Sequence, residues 1–384
     1  MTSLNMRNKK NILLALLVGI IIIISVAADS QSFCLSQKAM QTNAQRIYYN
    51  GNPFFPLGFY YVEHNNPNQK SVLQGQLQAI NDIASAGFNV MQASVNSYLS
   101  DFQTLLEQAQ SVGVTLMVID FDPVTAVPAL KSYPALLGWT IGDDVNKNYT
   151  PNALAQLDAQ IKALDPIHPT YITMYDPNPQ VIEKYIHLAN WVGMETYPIP
   201  SKSVVEVCHA INSAVSTSLA TGGSSIIANL QTFAWSSTQR PPTTIEVRNM
   251  TYQALLEGVR GILYYTYKDS SNYLPNNTEL WSGIKTIAQE VKSLEPWLLG
   301  SNFRMTNITQ NNSQILSSMW QVNNQKLLLV LNISTESQNV SINLPSSIRQ
   351  LGSFFNTQQP SLSLKNGALT GSLKPLDIQV YQVS

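Results

Sequence analysis

Charged side chains are scarce in this chain: Asp, Glu, Lys and Arg make up 12% of its 384 residues, and the formal net charge is −1. No basic patch stands out, so the electrostatic footprint of nucleic-acid binding is absent and a neutral partner is favoured. Histidine occurs four times. Only His64 falls near a strand end where chemistry is expected, which leaves a histidine-based nucleophilic triad without support. Cysteine occurs twice. With no CxxC or His-rich spacing, Cys34 and Cys208 argue against a structural metal site and leave room for one disulfide in an oxidising compartment. Neither a metal nor an organic cofactor is expected, and no repeat of ~20–50 residues is found.

One long apolar run is present. Arg7, Lys9 and Lys10 precede residues 12–28, and Val26-Ala27-Ala28 supplies the small residues that a signal peptidase needs before Asp29. Residues 1–28 read either as a signal peptide or, at about 17 apolar residues, as a short N-terminal membrane anchor. Phe33 before Cys34 is too bulky for a bacterial lipobox. The protein is expected to be secreted or extracytoplasmic, touching the membrane only through this segment if it stays uncleaved. Sequons at Asn148, Asn249, Asn276, Asn307, Asn311, Asn332 and Asn339 add little, because a chain this rich in Asn, Ser and Thr reaches such a number near chance.

After an N-terminal arm over 29–45, strand-like runs alternate with helical stripes. Phe54–Tyr61, Phe88–Val95, Val114–Asp120, Leu136–Gly142, Thr170–Tyr175, Trp191–Tyr197, Ser225–Phe233 and Gly261–Tyr267 read as eight strands. Leu73, Leu77, Ile80 and Ile83 repeat at helical spacing between the first two, and similar stripes follow. Ser100 with Gln103 and Thr243 with Glu246 fit capping boxes, and Thr150-Pro151 supplies a cap and a first-turn proline. Eight such units over 46–300 predict a closed (β/α)8 barrel. Arg46–Tyr49 and Phe54-Phe55 flank Asn50-Gly51-Asn52-Pro53, a hairpin placed to close the barrel bottom. Residues 301–384 change texture to short β-rich runs between Asn, Ser, Gly and Pro clusters, which predicts a small all-β sandwich.

Chemistry in such a barrel belongs at the C-terminal strand ends. These offer Glu63 and His64, then Asp120 and Asp122, Asp143 and Asp144, Asp176, Glu195 and Tyr197, Gln231 and Trp235, and finally Tyr265, Tyr267 and Asp269. The seventh strand carries no acid. Glu195 interrupts an apolar strand end, and a buried carboxylate needs either a partner or a role. Asp269 follows Lys268, which suits a solvated ion pair. Tyr60, His64, Tyr197, Trp235, Tyr265 and Tyr267 are candidate substrate contacts, since aromatic faces stack on pyranose rings while their polar tips bond to hydroxyls.

Several runs carry a resemblance: Asn50–Tyr60, Leu136-Leu137-Gly138-Trp139, Asp165–Thr170, Arg240-Pro241-Pro242-Thr243, and Glu246–Tyr252 with Gly258–Tyr267. In order and spacing they resemble TIM-barrel glycoside hydrolases, in particular cellulase-like members that carry a C-terminal β-sandwich. The resemblance implies cleavage of O-glycosidic bonds in an oligo- or polysaccharide by carboxylate acid/base catalysis. In that family the fourth strand usually ends in Asp-Glu-Pro or Asn-Glu-Pro, the Glu being the acid/base, whereas this chain has Asp143-Asp144-Val145. Asp144 thus takes the proton-donor position with a carboxyl set back by roughly 1.5 Å, where a misplacement of about 1 Å costs about 100-fold in rate. Retaining members take a Glu nucleophile from the seventh strand, where Gln231 stands. Glu195 becomes the second carboxylate, ahead of Asp269, with Asp143 orienting its neighbour and Gln231 bonding substrate. An inverting pair is favoured, since acids from the fourth and sixth strands need not approach closely. The alternative is an inactive carbohydrate-binding or cell-surface scaffold protein that keeps the cleft. A lyase or transglycosylase fits less well, for want of a cation beyond Lys268 and Arg240.

Overall fold

The computed structural model describes Cys34 and residues 40–41, 45–63, 69–95, 98–308 and 312–384. The apolar run over 12–28 and His64 lie outside the described residues. No helix among those described is long and apolar enough to cross a membrane.

Eight parallel strands close into a barrel: β1 Leu57–Tyr61, β2 Val90–Ser94, β3 Thr115–Ile119, β4 Leu136–Gly142, β5 Thr170–Met174, β6 Trp191–Thr196, β7 Ser225–Gln231 and β8 Gly261–Lys268. These match the eight predicted runs, mostly with one or two residues trimmed from the ends. The first run is trimmed most, because Phe54 turns back to donate its amide to Ile47 in the hairpin. Tyr48–Tyr49 and Asn52–Pro53 pair across Asn50 and Gly51, both at positive φ, the backbone that a tight hairpin turn requires. Ile47 then plugs the lower barrel interior against Val90, Met117, Leu137, Trp191, Ile227 and Leu263.

The outer shell is made by α1 Gln69–Ser85, α2 Leu99–Val112, α3 Pro123–Leu130, the short α4 Val145–Asn148, α5 Pro151–Leu164, α6 Pro179–Tyr185, α7 Val205–Thr221, α8 Thr244–Glu257 and α9 Thr278–Leu298. Thr243 and Glu246 form the predicted capping box, and the Thr150 hydroxyl caps α5. The Ser100–Gln103 box does not form. Helix α2 starts one residue before Ser100, Tyr98 takes the cap position without a side-chain bond, and the Gln103 amide donates to Ala129 O instead.

The C-terminal region holds β9 Arg304–Asn307, β10 Ile315–Val322, β11 Gln325–Asn332, β12 Gln338–Asn343, β13 Leu351–Ser353, β14 Leu362–Lys365, β15 Ala368–Leu373 and β16 Ile378–Val383. A six-stranded antiparallel sheet, completed by Met40–Gln41 beside β9, faces the three-stranded β12-β15-β14 sheet. The sandwich docks on α8 and α9. Asn249 is fully buried there and its amide donates to Asn332 O and Leu376 O, while Trp297 meets Phe354 edge-on. Asn249 and Asn332 are both completely buried, so in the folded protein neither sequon can accept a glycan.

Candidate active site

Strand parity decides which side chains reach the barrel mouth. Along β6, Gly193 and Glu195 face inward, and Tyr197 continues the row. A Cβ at Gly193 would lie 2.1 Å from the Tyr171 hydroxyl and 2.7 Å from the Asn229 amide. Glycine here makes room for a buried polar floor. Tyr171 Oη donates to Asn229 Oδ1 at 2.9 Å, Asn229 Nδ2 donates to Tyr60 Oη at 2.7 Å, and the two phenols lie 3.1 Å apart. Asn229 pairs directly with Glu195 in the strand register, so this floor lies beneath the glutamate.

Above the floor, three carboxyl groups meet around one hydroxyl. Thr173, at the inward end of β5, donates to Asp143 Oδ1 at 2.6 Å and accepts the Asp144 amide at 3.0 Å. Asp144 adopts a left-handed backbone, φ 50° and ψ 43°, which turns the chain sharply from β4 into α4. Glu195 bonds to both Thr173 and Asp144. Its carboxyl is held well above the ordinary range, first by burial, then by the negative charges of Asp143 and Asp144, and further by the bond to Asp144, which favours its protonated form. Asp143 is the solvent-exposed member of the group.

An aromatic wall flanks the acids on the β6–β8 side. Tyr197 lies 6.2 Å from Trp235 and 5.9 Å from Tyr265, and Phe233 meets Trp235 at 4.9 Å and Tyr265 at 5.3 Å. Trp235 is 55% exposed. The Tyr197 hydroxyl is buried without a hydrogen-bond partner. Burial and the nearby Glu195 and Asp143 push its phenol up, and Tyr265 is likewise raised by burial and the surrounding acids.

Several sequence-based candidates stand elsewhere. Gln231 is completely buried and saturated by backbone: its Oε1 accepts Ile199 N at 2.8 Å, and its Nε2 donates to Ile199 O and Phe233 O at 2.7 and 3.1 Å. It fastens the β6–α7 loop and has no amide group to spare for substrate. Tyr267 was expected at the mouth, but a register shift between Tyr264 and Lys268 turns it outward, where its hydroxyl donates to Asp82 on α1. Tyr60 sits below the rim as part of the floor, 1% exposed. Asp269 accepts Ser271 N and Asn272 N within its own turn, so it is no second catalytic carboxylate. Nor does it pair with Lys268, whose Nζ reaches Glu63 at 2.9 Å. For Asp144 with Glu195, the separation assumed for an inverting pair also fails. Carboxyls in hydrogen-bonding contact leave no space for the water enclosed by an inverting pair about 6.5–9.5 Å apart. Sequence reasoning missed Thr173, although inward parity from Tyr171 points to it. Among the described residues, no group of three or more His, Cys, Asp or Glu is arranged to hold a metal ion.

No protein-family model matches the chain, and no curated protein matches it in sequence. Solved structures do match. AmyP in complex with maltose aligns at TM-score 0.58 and 10% identity, over 85% of this chain and 96% of that one. The alpha-amylase from Geobacillus thermoleovorans, complexed with acarbose, aligns at 0.58 and 11% over 90% and 99% of the two chains. A glycoside hydrolase family 30 subfamily 8 xylanase from Clostridium acetobutylicum aligns at 0.53 and 12% over 91% and 100%. At these identities the likeness establishes a shared fold alone, the closed (β/α)8 barrel with its C-terminal β domain.

Proposed function

We propose that the protein hydrolyses O-glycosidic bonds in an oligo- or polysaccharide, with Glu195 as the proton donor. The observation that carries this reading is the Glu195–Asp144 contact: burial and two neighbouring negative charges push Glu195 towards its protonated form, beside an aromatic wall whose Trp235 is exposed. This reverses the sequence-based assignment, which gave the proton to Asp144. Glu195 delivers its proton to the glycosidic oxygen, and the carboxylates of Asp143 and Asp144 stabilise the positive charge that develops on the sugar ring. Asp143, open to solvent, takes the proton of the attacking water. Trp235 and Tyr197 stack on the sugar, as the saccharide-bound neighbours encourage.

The test is release of reducing ends from a panel of neutral and charged glycans. Hydrolysis by the native protein that disappears in Glu195→Gln supports the reading, and no release from any glycan contradicts it. A binding protein without turnover is the second reading, favoured by the absence of an acid on β7 and by the locked Gln231. Retained binding with no hydrolysis would select it.

Export belongs to the same proposal. Its support is the Cys34–Cys208 disulfide, Cα–Cα 5.6 Å, which ties the segment after the apolar run to α7 and suits an oxidising compartment. Detection of the mature chain outside the cytoplasm, starting near Asp29, would establish cleavage, whereas a retained Met1 in the membrane fraction would establish the anchor.

A further inference from the structure

Thr173 joins all three acids, yet it neither gives up nor takes a proton in the proposed hydrolysis. It lies on β5, the strand between β4, which runs into Asp143 and Asp144, and β6, which carries Glu195. It pairs in register with Gly193, two residues before Glu195, and is completely buried. The position lets one side chain reach acids delivered by both neighbouring strands. Threonine suits it, because branching at Cβ restricts χ1 and keeps the hydroxyl aimed at them.

A hydroxyl has one proton to give and two lone pairs to accept with. The Thr173 oxygen accepts the Asp144 amide at 3.0 Å, and its proton goes to Asp143 Oδ1 at 2.6 Å. Glu195 bonds to the same hydroxyl and to the Asp144 side chain. A single proton cannot serve Asp143 and Glu195 together. While Glu195 is protonated it donates to Asp144, and the Thr173 proton stays with Asp143, whose basicity it lowers. Once Glu195 has given its proton to the glycosidic oxygen, it is a new anion in reach of that hydroxyl. Rotation of the Thr173 O–H then turns its hydrogen bond from Asp143 to Glu195, with no covalent bond made or broken. Asp143 becomes the stronger base at the step in which water must be deprotonated. The other titratable groups facing the cluster are the phenols of Tyr60, Tyr171, Tyr197 and Tyr265, all pushed up by burial, so they add no charge to the exchange.

We infer that Thr173 is a positioning residue that couples the two acids, holding Asp143 while Glu195 keeps its proton and turning to Glu195 when that proton leaves. Its catalytic use rests on the hydrolase reading. The exchange of hydrogen bonds is measurable without turnover.

The experiment compares the native full chain with Thr173→Val, which keeps the shape and removes the hydroxyl, and Thr173→Ser, which keeps the hydroxyl. Carbon-13 NMR of protein labelled at its Asp and Glu carboxyls, assigned with Asp143→Asn and Glu195→Gln, follows both groups with pH. Over the same range, kcat/KM is measured on a glycan that the native protein hydrolyses. In Thr173→Val both carboxyls lose a donor to their charged forms, so both titrations and both limbs of the kcat/KM profile should move to higher pH. The rate at the native optimum should fall by about 10–100-fold, the scale of one hydrogen bond to a charged group. Thr173→Ser should restore the native titrations and most of the rate. If a depressed melting temperature shows that valine is not tolerated, Thr173→Ala makes the same comparison in a smaller volume. Unmoved titrations in the variants without the hydroxyl, or equal damage from serine and valine, overturns the inference. Hydrolysis that is lost in Glu195→Gln while Thr173→Val leaves titrations and profile unmoved would sink this inference alone. Titrations that move as expected in a protein that hydrolyses no glycan would sink the hydrolase reading alone.

Discussion

The two ends of the barrel each hold a carboxyl among polar partners, and they treat it in opposite ways. At the bottom, Asp165 is 1% exposed. It accepts Trp139 Nε1 at 2.9 Å, the backbone amides of Ile167 and His168, and His168 Nδ1 at 2.7 Å. Burial alone would raise its pKa, but these donors hold it below the ordinary carboxylate range. At the mouth, Glu195 meets other carboxyls and is pushed up. The difference lies in the neighbours: donors make a carboxylate a structural clasp, whereas acids make it a reservoir for a proton. The proposed division, with stability at one end of the barrel and chemistry at the other, accords with these opposite pKa directions.

Substitutions at the two ends should therefore fail differently. Glu195→Gln is expected to have the largest effect, lowering turnover by about 10²–10⁴-fold, the scale of general acid catalysis, with an unchanged KM and an unaltered or higher melting temperature. Steady-state kinetics beside calorimetric melting would check it. A melting temperature that falls with activity would place Glu195 among the structural clasps.

Asp165→Ala comes next. It strands the buried Trp139 N–H and releases two part-buried amides, which costs about 3 kcal/mol of folding stability. Denaturant titration should show that loss, while activity per folded molecule stays native. A loss of activity without a loss of stability would erase the contrast between the ends.

The pH dependence sharpens it further. Asp165 has a lowered folded pKa, so the stability it contributes is present above its unfolded value near 3.8 and is lost as pH falls through the folded value. Glu195 has a raised folded pKa, so stability declines as pH rises from its unfolded value near 4.5 up to the folded one. Glu195→Gln should remove the second decline and leave the first. Melting curves from acid to neutral pH would read both, and identical profiles for variant and native protein would contradict the shift.

Gln231→Glu probes whether an acid on β7 restores a missing nucleophile. Because the amide donates to two carbonyls, a carboxylate there faces Ile199 O and Phe233 O with no donor. The expected outcome is a destabilisation of about 1–3 kcal/mol with no gain in turnover. A gain in hydrolysis would show that the site lacked only that acid. Trp235→Ala should have the smallest effect on folding, within about 0.5 kcal/mol because the ring is largely exposed, while weakening glycan binding in a calorimetric titration.

Much of this contrast was legible in the residues. Local periodicity marked the eight strands, the hairpin and the Thr243 cap, and the apolar run into Asp143-Asp144 marked the acid end of β4. What could not be read was set by irregular backbone and by partners distant in sequence. The shift that turns Tyr267 outward breaks the two-residue alternation on which the expectation rested. Gln231 looked available because its donor, Ile199 N, and its acceptors, Ile199 O and Phe233 O, come from loops whose path the sequence does not state. The upward push on Glu195 depends on β4 and β6 bringing their acids into contact, which only the folded chain shows.

The most direct test of the proton's location is infrared difference spectroscopy of native protein minus Glu195→Gln at neutral pH. A protonated-carboxyl stretch in the native protein, absent from the variant and disappearing only as pH rises above the ordinary carboxylate range, is the predicted result. A spectrum with carboxylate bands alone, or a protonated band that survives in Glu195→Gln and vanishes in Asp144→Asn, would contradict it.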